Sequence, residues 1–375
     1  MINKNYCVTT TCFAIKGILR TAIYDLPKAT YEFVPNAVHG FLRLLSHESL
    51  LNIYKNTSQD DRTYLNEYLQ YCIEKEYILE IPNEINKNHF PKLNLNFEFP
   101  SIISNLVLKI NEDFDFEKIK NILITLKCFN IQIIFEPAFN LNKIEQYLNK
   151  IKDVGLNSIE LIIAYNPDYN YELLTNNYKN IAFIFVYSSP KYQFIKKHVL
   201  GLQQIFTSKN SFEITHKKSL EFFNVNITLF TESQNHNTYF NRKLFIGANG
   251  EIKNSQNTSV VFGNINELKN SNDILKIVES KEFQEYWFVH KGLIDVCKKC
   301  EFRHMCVDNR IPIKRNEKEW YMDTECNYNP YIAKWSDEKG YKNIDECGIT
   351  SNQDGFNINR KKINAINKKL WGDDK

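Results

Sequence analysis

The first hundred residues combine β-type and helix-type hydrophobic patterns. Two stretches rich in β-branched and aromatic residues, 6–18 and 20–34, are interrupted by Gly17 and Pro27, which is typical of strands and hairpins. Further along, apolar residues recur at helical spacing. The pattern predicts, in chain order, a helix over Val38–Leu45, a helix over Tyr64–Glu76, a strand over Tyr77–Ile81 and a linker over Asn83–Lys92.

From residue 101 onward, apolar strand-like runs alternate with amphipathic helices. Such βαβ alternation predicts a parallel sheet, and we expect it to form a partial (βα) barrel. The predicted strands are Ile103–Ile110, Ile131–Phe135, Ser158–Ala164 and Ile181–Tyr187, with further strands at Gln204–Thr207 and Val225–Phe230. The predicted helices are Phe116–Leu126, Ile144–Ile151 and a short piece near Tyr171–Leu174.

The rest of the chain is more polar and richer in loops. It contains a predicted hairpin turn at Gly247–Gly250 and a predicted helix over Ile274–Phe288. A basic run, Arg360–Lys369, is expected to form a solvated helix or tail. The whole pattern predicts an α/β protein in four consecutive parts, which are residues 1–95, 96–235, 236–335 and a C-terminal extension over 336–375.

Composition limits the classes of function. The 375 residues are 43% hydrophobic and 14% aromatic, which is typical of a globular protein. A net charge of +3 does not favour nucleic acid or a membrane surface as a partner. Residues 1–19 lack the features of a signal peptide, and no window is apolar enough to span a membrane. We therefore expect a cytoplasmic protein whose thiols stay reduced.

Four cysteines form the strongest chemical signal in the chain. Cys297, Cys300 and Cys306 have the spacing C-x2-C-x5-C, and Cys326 follows after 19 further residues. Soft thiolates at this spacing favour one metal site, and both zinc and a [4Fe–4S] cluster accept four of them. His304 is an alternative ligand. The other cysteines are expected to be small buried apolar residues: Cys7, Cys12, Cys72, Cys128 and Cys347.

The surroundings of this motif are aromatic and basic. The aromatic residues Phe302, Trp320, Tyr328 and Trp335 are expected to pack around the metal site. The basic residues are interpreted as solvated surface, with stabilisation of an anionic site or contact with an acidic peptide as alternatives; they are Lys298, Lys299, Arg303, Arg310, Lys314 and Arg315.

The cysteine pattern resembles the SPASM domain, the C-terminal extension of many peptide-modifying radical-SAM enzymes. The likeness rests on CEFRHMCVDNRIP and the following ECNYNPYIAKW. The family pattern has seven cysteines for two auxiliary clusters, and this chain keeps the four that serve the outer cluster. Ser255 and Arg310 occupy two of the missing cysteine positions. The resemblance favours one [4Fe–4S] cluster over zinc and implies that the inner cluster is lost.

Radical-SAM enzymes also carry C-x3-C-x2-C after the first barrel strand, and this motif is absent here. The stretch after Ile103–Ile110 reads NEDFDFEKIKN. Glu136 only faintly echoes the family element that holds the cofactor's amino group. The resemblance therefore implies a pseudo-radical-SAM protein with a degenerate barrel over 96–235 and a SPASM domain over 236–335. We expect no S-adenosylmethionine to be bound.

The overall layout is similar to the SPASM maturases of grasp-with-spasm systems, which make graspetides. Residues 1–95 resemble a winged-helix-like recognition element that binds the leader of a ribosomally synthesised, post-translationally modified peptide (RiPP). The alternative for this part is a small structural α+β domain. The resemblance implies an accessory maturation protein that assists an ATP-grasp ligase and has no catalytic residues of its own. Two alternatives stay open, which are a catalytically active peptide-modifying enzyme and a zinc-stabilised protein-interaction module.

Overall fold

The protein is seen in a computed structural model, which describes residues 4–82, 84–85, 89–111, 114–137, 139–196, 203–210 and 223–372. Its contacts divide the chain into two compact units. Unit 1 comprises Met1–Phe97, Leu220–Thr238 and Val289–Lys375, and unit 2 comprises Glu98–Ser219 and Tyr239–Phe288. The four consecutive parts expected from the sequence stay a prediction.

The α-helices of the described residues are, in chain order, α1 (Asn36–His47), α2 (Leu50–Asn56), α3 (Arg62–Glu74), α4 (Phe116–Leu126), α5 (Leu141–Ile151), α6 (Tyr171–Asn177), α7 (Ile227–Asn235), α8 (Asp273–Val278), α9 (Lys281–Gln284) and α10 (Arg360–Trp371). Short 3-10 helices cover Lys152–Val154, Glu285–Phe288, Lys291–Leu293 and Cys297–Lys299.

The strands are, in chain order, β1 (Asn5–Val8), β2 (Cys12–Lys16), β3 (Arg20–Asp25), β4 (Thr30–Pro35), β5 (Ile78–Ile81), β6 (Asn105–Ile110), β7 (Asn130–Phe135), β8 (Ser158–Ala164), β9 (Ile181–Tyr187), β10 (Gln193–Lys196), β11 (Gln203–Phe206), β12 (Lys243–Ile246), β13 (Glu251–Lys253), β14 (Gly263–Asn264), β15 (Pro312–Lys314), β16 (Trp320–Met322), β17 (Tyr328–Asn329), β18 (Lys334–Trp335), β19 (Ile349–Asn352) and β20 (Gly355–Ile358).

The N-terminal part of unit 1 is a small α+β arrangement. Strands β2, β3 and β4 form an antiparallel sheet in that order, and β1 pairs with β5. Helix α1 buries Val38, Phe41, Leu42 and Leu45, whose spacing places them on one helical face. This face contributes to a core that also contains Ile23 and residues of β1, α2 and α3. The strands and the two longer helices predicted for this part are confirmed.

Unit 2 is built on a nine-stranded sheet, which confirms the α/β class. Strands β6 to β9 run parallel in chain order, and β11 and β12 extend the sheet in parallel at the two ends of this group. Strands β10, β13 and β14 are added antiparallel. The β12–β13 connection confirms the predicted hairpin at Gly247–Gly250, where Gly250 has a φ of +88° that side chains rarely adopt.

Helix α4 begins at the predicted residue, whereas α5 begins at Leu141, three residues before the predicted start at Ile144. The side chains of Asp115 and Asn140 cap their first turns by accepting backbone hydrogen bonds. Their apolar faces join one large core with the strand residues on the same side of the sheet, such as Leu108, Ile133 and Leu161. Because these strands are buried, their sequences are continuously apolar, and the hydrophobic pattern of unit 2 therefore predicts them well.

Two elements differ from the sequence-based predictions. The predicted strand Val225–Phe230 is wrong, because Asn226 caps helix α7 by accepting a hydrogen bond from the Leu229 N–H. The predicted helix Ile274–Phe288 is interrupted, because Ser280 accepts from the Phe283 N–H and starts a new helix. Such side-chain caps compete with the hydrophobic period, which carries no information about them.

The basic run near the C-terminus forms helix α10, which is anchored to unit 1. Ile363 is buried among Tyr331, Ile332 and Cys347. The indole of Trp371 donates a 3.1 Å hydrogen bond to the Ile332 carbonyl. The expected helix is therefore present and mostly exposed to solvent, but the face that carries Ile363 is buried. Within the described part of the chain, no helix combines the length and the apolar character needed to cross a membrane.

Candidate metal centre

The four motif cysteines line a single cavity in unit 1. Cys297 begins a 3-10 helix, Cys300 follows its end, Cys306 lies in the next loop, and Cys326 lies between β16 and β17. All four contribute to the wall of a cavity of about 190 Å³. A water molecule takes up about 30 Å³ of liquid, so the cavity as a whole can hold a group of several atoms.

The backbone before Cys297 is strained. Val296 has a φ of +62°, which a β-branched residue rarely adopts. The Cys297 N–H donates a 2.6 Å hydrogen bond to the Asp295 carbonyl across this residue. After the second cysteine, the Phe302 N–H donates to the Cys300 Sγ at 3.4 Å. A strained conformation of this kind persists where the surrounding contacts hold it in place. The residue that follows it, Cys297, lies in the wall of the cavity.

Burial raises the pKa of the Cys297 thiol, and it raises that of Cys300 well above its usual range. The charges of Lys291 and Arg310 oppose this shift at Cys297. Without a bound metal, the thiols of Cys297 and Cys300 are therefore neutral at physiological pH. A metal that binds here must displace their protons, so binding is coupled to proton release.

A buried ionic cluster adjoins the cysteines. Asp308 is fully buried and lies 3.2 Å from the Lys291 ammonium and 2.6 Å from the Arg310 guanidinium. The Arg310 Nη2 also lies 3.8 Å from the Cys297 Sγ. The Lys291 side chain is only 4% exposed. Its ammonium makes no hydrogen bond of good geometry within the described residues.

A second buried carboxylate lies on the other side of the first cysteine. Asp295 pairs with Lys298 and with Arg315, each at 2.8 Å. Arg315 is 8% exposed in its side chain and Arg310 12%. The interpretation of these two arginines as solvated surface is therefore wrong, because each closes an ion pair with a buried aspartate. Lys299 is exposed, in agreement with that interpretation.

The cysteine loop also supports the β2–β4 sheet within unit 1. Glu301, next to Cys300, is 1% exposed and accepts a 2.7 Å hydrogen bond from Arg20 at the start of β3. The Tyr328 hydroxyl donates to the same carboxylate oxygen, and the Tyr24 hydroxyl donates to the Glu301 backbone carbonyl at 2.6 Å. The two hydrogen bonds to the carboxylate are charge-assisted, and such bonds are the stronger ones in proteins.

Glycine is needed where the sheet approaches this loop. A Cβ atom at Gly17 would lie 2.7 Å from a carboxylate oxygen of Glu301 and 2.8 Å from the Arg20 carbonyl. On the other face of the contact, Phe302 packs edge-on against Tyr31 and Phe33 of β4. The turn between β2 and β3 and the side chains of β4 therefore both rest on the loop between Cys300 and Cys306.

The predicted aromatic shell is present in part. Phe302, Tyr328 and Trp335 form one cluster, and Cys300 and Cys326 pack against it. Trp320 is buried in β16 and is not part of this cluster. His304 does not line the cavity. Its Nδ1 lies 2.9 Å from the Ser233 hydroxyl, and burial lowers its pKa to about 3, which keeps the ring neutral.

The scattered cysteines are placed as the sequence predicts. Cys7, Cys72, Cys128 and Cys347 are buried, and Cys12 is partly buried. Burial raises the pKa of Cys72 to about 12 and that of Cys128 to about 11, so these thiols are poor ligands and nucleophiles.

The residues of the cavity fit a thiolate-bound metal group in donor chemistry and in charge. The donors are four soft sulfur atoms, and an underpaired buried ammonium adjoins them. Across the described residues, no three histidine, cysteine, aspartate or glutamate side chains already stand at the distances of a single-ion site. The identity of the metal and the role of the cysteines as its ligands stay predictions.

A second cleft lies in unit 2 at the carboxyl ends of β6 and β7. It measures about 430 Å³ and is lined by Lys109, Asn111, Glu136 and the β12–β13 hairpin. Lys109 and Glu136 form a loose ion pair at 3.8 Å. Ligands of parallel sheets bind at this end of the strands. Glu136 therefore stands where a functional group is expected, although its role stays a prediction.

Sequence reasoning missed the charged groups that complete the candidate site. No sequence motif marks these groups, which are Lys291, Asp308, Glu301 and Arg20. One signal was present: Asp295 and Asp308 each stand two residues outside the span from Cys297 to Cys306. Carboxylates often hydrogen-bond to the ligands of a metal site, so a carboxylate close to the motif is a candidate for its outer shell.

Comparison with known proteins yields only distant similarity. No protein-family model matches the chain, and no curated protein matches it. The chain is similar to the crystal structure of Streptococcus suis SuiB at 10% identity and a TM-score of 0.27, and to SuiB bound to S-adenosylmethionine at 9% identity and a TM-score of 0.26. Each match covers 80% of this chain and 94% of the other. Scores at this level carry no argument about function.

Proposed function

We propose that this chain is an accessory maturation protein for a ribosomally synthesised, modified peptide. It binds the precursor leader through its N-terminal sheet and assists an ATP-grasp ligase that makes ester or amide crosslinks. The observation that carries the proposal is the convergence of Cys297, Cys300, Cys306 and Cys326 on one cavity, in the same unit as that sheet.

The four cysteines would hold one [4Fe–4S] cluster, with zinc as the alternative. A centre ligated by four thiolates crosslinks the loops that carry them, and its binding free energy is also folding free energy. The cysteine motif for an open iron is missing after β6. The proposed role is therefore structural, and the partner ligase performs the chemistry.

The free edge of β4 is the proposed place for the leader. Strand β4 is an outer strand of its three-stranded sheet. An extended peptide can add to such an edge through backbone hydrogen bonds, while side-chain pockets give specificity. Phe33 of β4 is 39% exposed, and the Arg20 guanidinium lies 3.5 Å from its ring centroid. Because Arg20 is already paired with Glu301, the pair offers mainly an aromatic contact to the peptide.

The test combines the full-length protein with the proposed precursor peptide and the proposed ATP-grasp ligase. Mass spectrometry of the precursor should show the loss of water for each crosslink only when the ligase is present, and the yield should fall when this chain is omitted. A mass change with this chain alone would replace the proposal with the enzymatic alternative.

Binding of the precursor is tested with a matched pair of surface variants. Phe33→Glu should weaken binding at least tenfold, because it places a charge at the proposed contact. Tyr64→Glu, at an exposed aromatic residue of α3 in the same unit, should bind like wild type. Equal affinity of the two variants would remove β4 as the binding edge, and metal content serves as the check that both are folded.

A further inference from the structure

The charges buried beside the four cysteines do not balance. Lys291 and Arg310 both pair with Asp308, so two cations share one carboxylate. The three side chains are 12% exposed or less. An uncompensated charge in a protein interior is costly, and such charges are paired or bind an ion. The group of Lys291, Asp308 and Arg310, here called the cationic triad, therefore has one positive charge in excess.

The excess charge is directed at the cysteines. Arg310 Nη2 lies 3.8 Å from the Cys297 Sγ. Lys291 lines the same cavity, and its ammonium has no hydrogen bond of good geometry within the described residues. Within the triad, Asp308 offsets only one of the two positive charges, and neutral thiols do not offset the other. With four thiolates, the negative charge outweighs that of a zinc ion, so the filled cavity holds an anionic centre.

Other charged groups at the cavity do not neutralise the excess positive charge of the triad. Asp295 is satisfied by its two partners, Lys298 and Arg315. The remaining carboxylates of the wall lie at its exposed rim, where water screens them; they are Asp323, Glu325 and Asp345. Arg303 is engaged with the carbonyls of Lys16 and Cys300. The deepest uncompensated charge is thus positive.

We propose that the cationic triad of Lys291, Asp308 and Arg310 retains an anionic four-thiolate metal centre in this cavity, with Arg310 as the residue that positions Cys297. The inference rests on the metal site of the proposed function and adds the groups that hold it.

The test measures how fast the full-length, metal-loaded protein releases its metal to excess EDTA. Lys291→Met and Arg310→Met each remove one positive charge, and release should accelerate about 10–100-fold, the usual effect of losing an outer-shell partner. Arg310→Lys keeps the charge and should restore most of the retention. The matched control is Arg315→Met, which breaks a comparably buried ion pair that faces Asp295 instead of the thiols.

Asp308→Asn separates an electrostatic role from a structural one, because the two predict opposite signs. Removing the carboxylate makes the interior more positive, so metal release should be slower than in wild type, although the metal-free protein is destabilised. If the centre is an iron–sulfur cluster, its reduction potential should rise in Asp308→Asn and fall in Lys291→Met, since local charge sets the potential. A general packing defect would accelerate release in every variant.

The outcomes are decisive in each direction. Wild-type retention by Lys291→Met and Arg310→Met, or equally fast release by Arg315→Met, would overturn the inference and leave the metal site itself intact. If wild-type protein prepared anaerobically with iron and with zinc holds neither, the proposed metal site fails and the triad has no ligand to hold. Slower release in Asp308→Asn together with faster release in the two charge-removing variants supports the inference.

Discussion

The sheet of unit 2 and the cysteine segment of unit 1, residues 289–335, are stabilised by different means. The sheet is built from strands of up to seven residues whose apolar side chains form one large core. The cysteine segment has strands of only two or three residues and 3-10 helices of three. Its interior contains charged side chains, among them Lys291, Asp295, Glu301 and Asp308.

This difference shows two ways for a chain to become ordered. Burial of apolar area stabilises the sheet by roughly 25 cal/mol per Å² and needs no cofactor. A segment with little regular structure and with buried charges gains less from burial, because each charge must be desolvated and paired. A bound metal cross-links such a segment, and its binding free energy adds to the free energy of folding. The comparison therefore predicts that metal loss affects one region and spares the other.

The largest expected effect comes from breaking the metal site. Cys300→Ser should release the metal and leave residues 290–335 sensitive to protease, while peptides of the sheet in unit 2 stay protected. The energy scale of such coupling is about 10–16 kcal/mol for structural zinc in small peptides. Limited proteolysis with peptide mapping measures it. Cys128→Ser, at a buried cysteine of unit 2, is the control and should keep the metal.

A cavity in the core of unit 2 should give the converse result. Ile133 of β7 is fully buried. Ile133→Ala should lower the free energy of unfolding of the sheet by about 2–5 kcal/mol, through lost burial and an unfilled cavity. Denaturant unfolding with and without EDTA should give the same change in both conditions. A change that depends on the chelator would contradict the separation of the two regions.

The link from the cysteine loop to the β2–β4 sheet should produce a smaller effect. Glu301→Gln weakens the charged hydrogen bonds from Arg20 and Tyr328, which are worth about 1.5–3 kcal/mol each. Hydrogen exchange should accelerate in β2, β3 and β4. Removing the metal from the wild-type protein should have the same effect there. Unchanged exchange in these strands after metal removal would show that the loop keeps its shape without a metal.

The smallest effect concerns pH. Burial lowers the pKa of His290, whose Nδ1 accepts a 3.2 Å hydrogen bond from the Gly292 N–H. The unfolded state therefore binds the proton more readily than the folded state. As the pH falls from about 6.5, the ordinary pKa of histidine, the protonation of His290 lowers the free energy of unfolding of the protein. His290→Asn keeps an acceptor for Gly292 and removes the titration. Its unfolding free energy should depend less on pH between about 6.5 and 5 than that of wild type.

How well an element is predicted depends on how long its hydrophobic pattern runs. Helix α4 and strands β8 and β9 have the bounds that the sequence predicts, because each must bury a periodic apolar face. Helix α7 was predicted as a strand, because Val225–Phe230 is too short for its period to distinguish a strand from a helix. There the Asn226 cap decided the outcome.

The sequence by itself determined the α/β class and singled out four cysteines, because hydrophobic period and ligand spacing are local properties of the chain. Only the tertiary structure brought Lys291, Asp308 and Arg310 to the same cavity and set Glu301 beside Arg20, 281 residues away along the chain. Charged residues carry no period that reveals their partners. Their position is decided by which loops fold together, and in a low-dielectric interior that position sets how strongly they act.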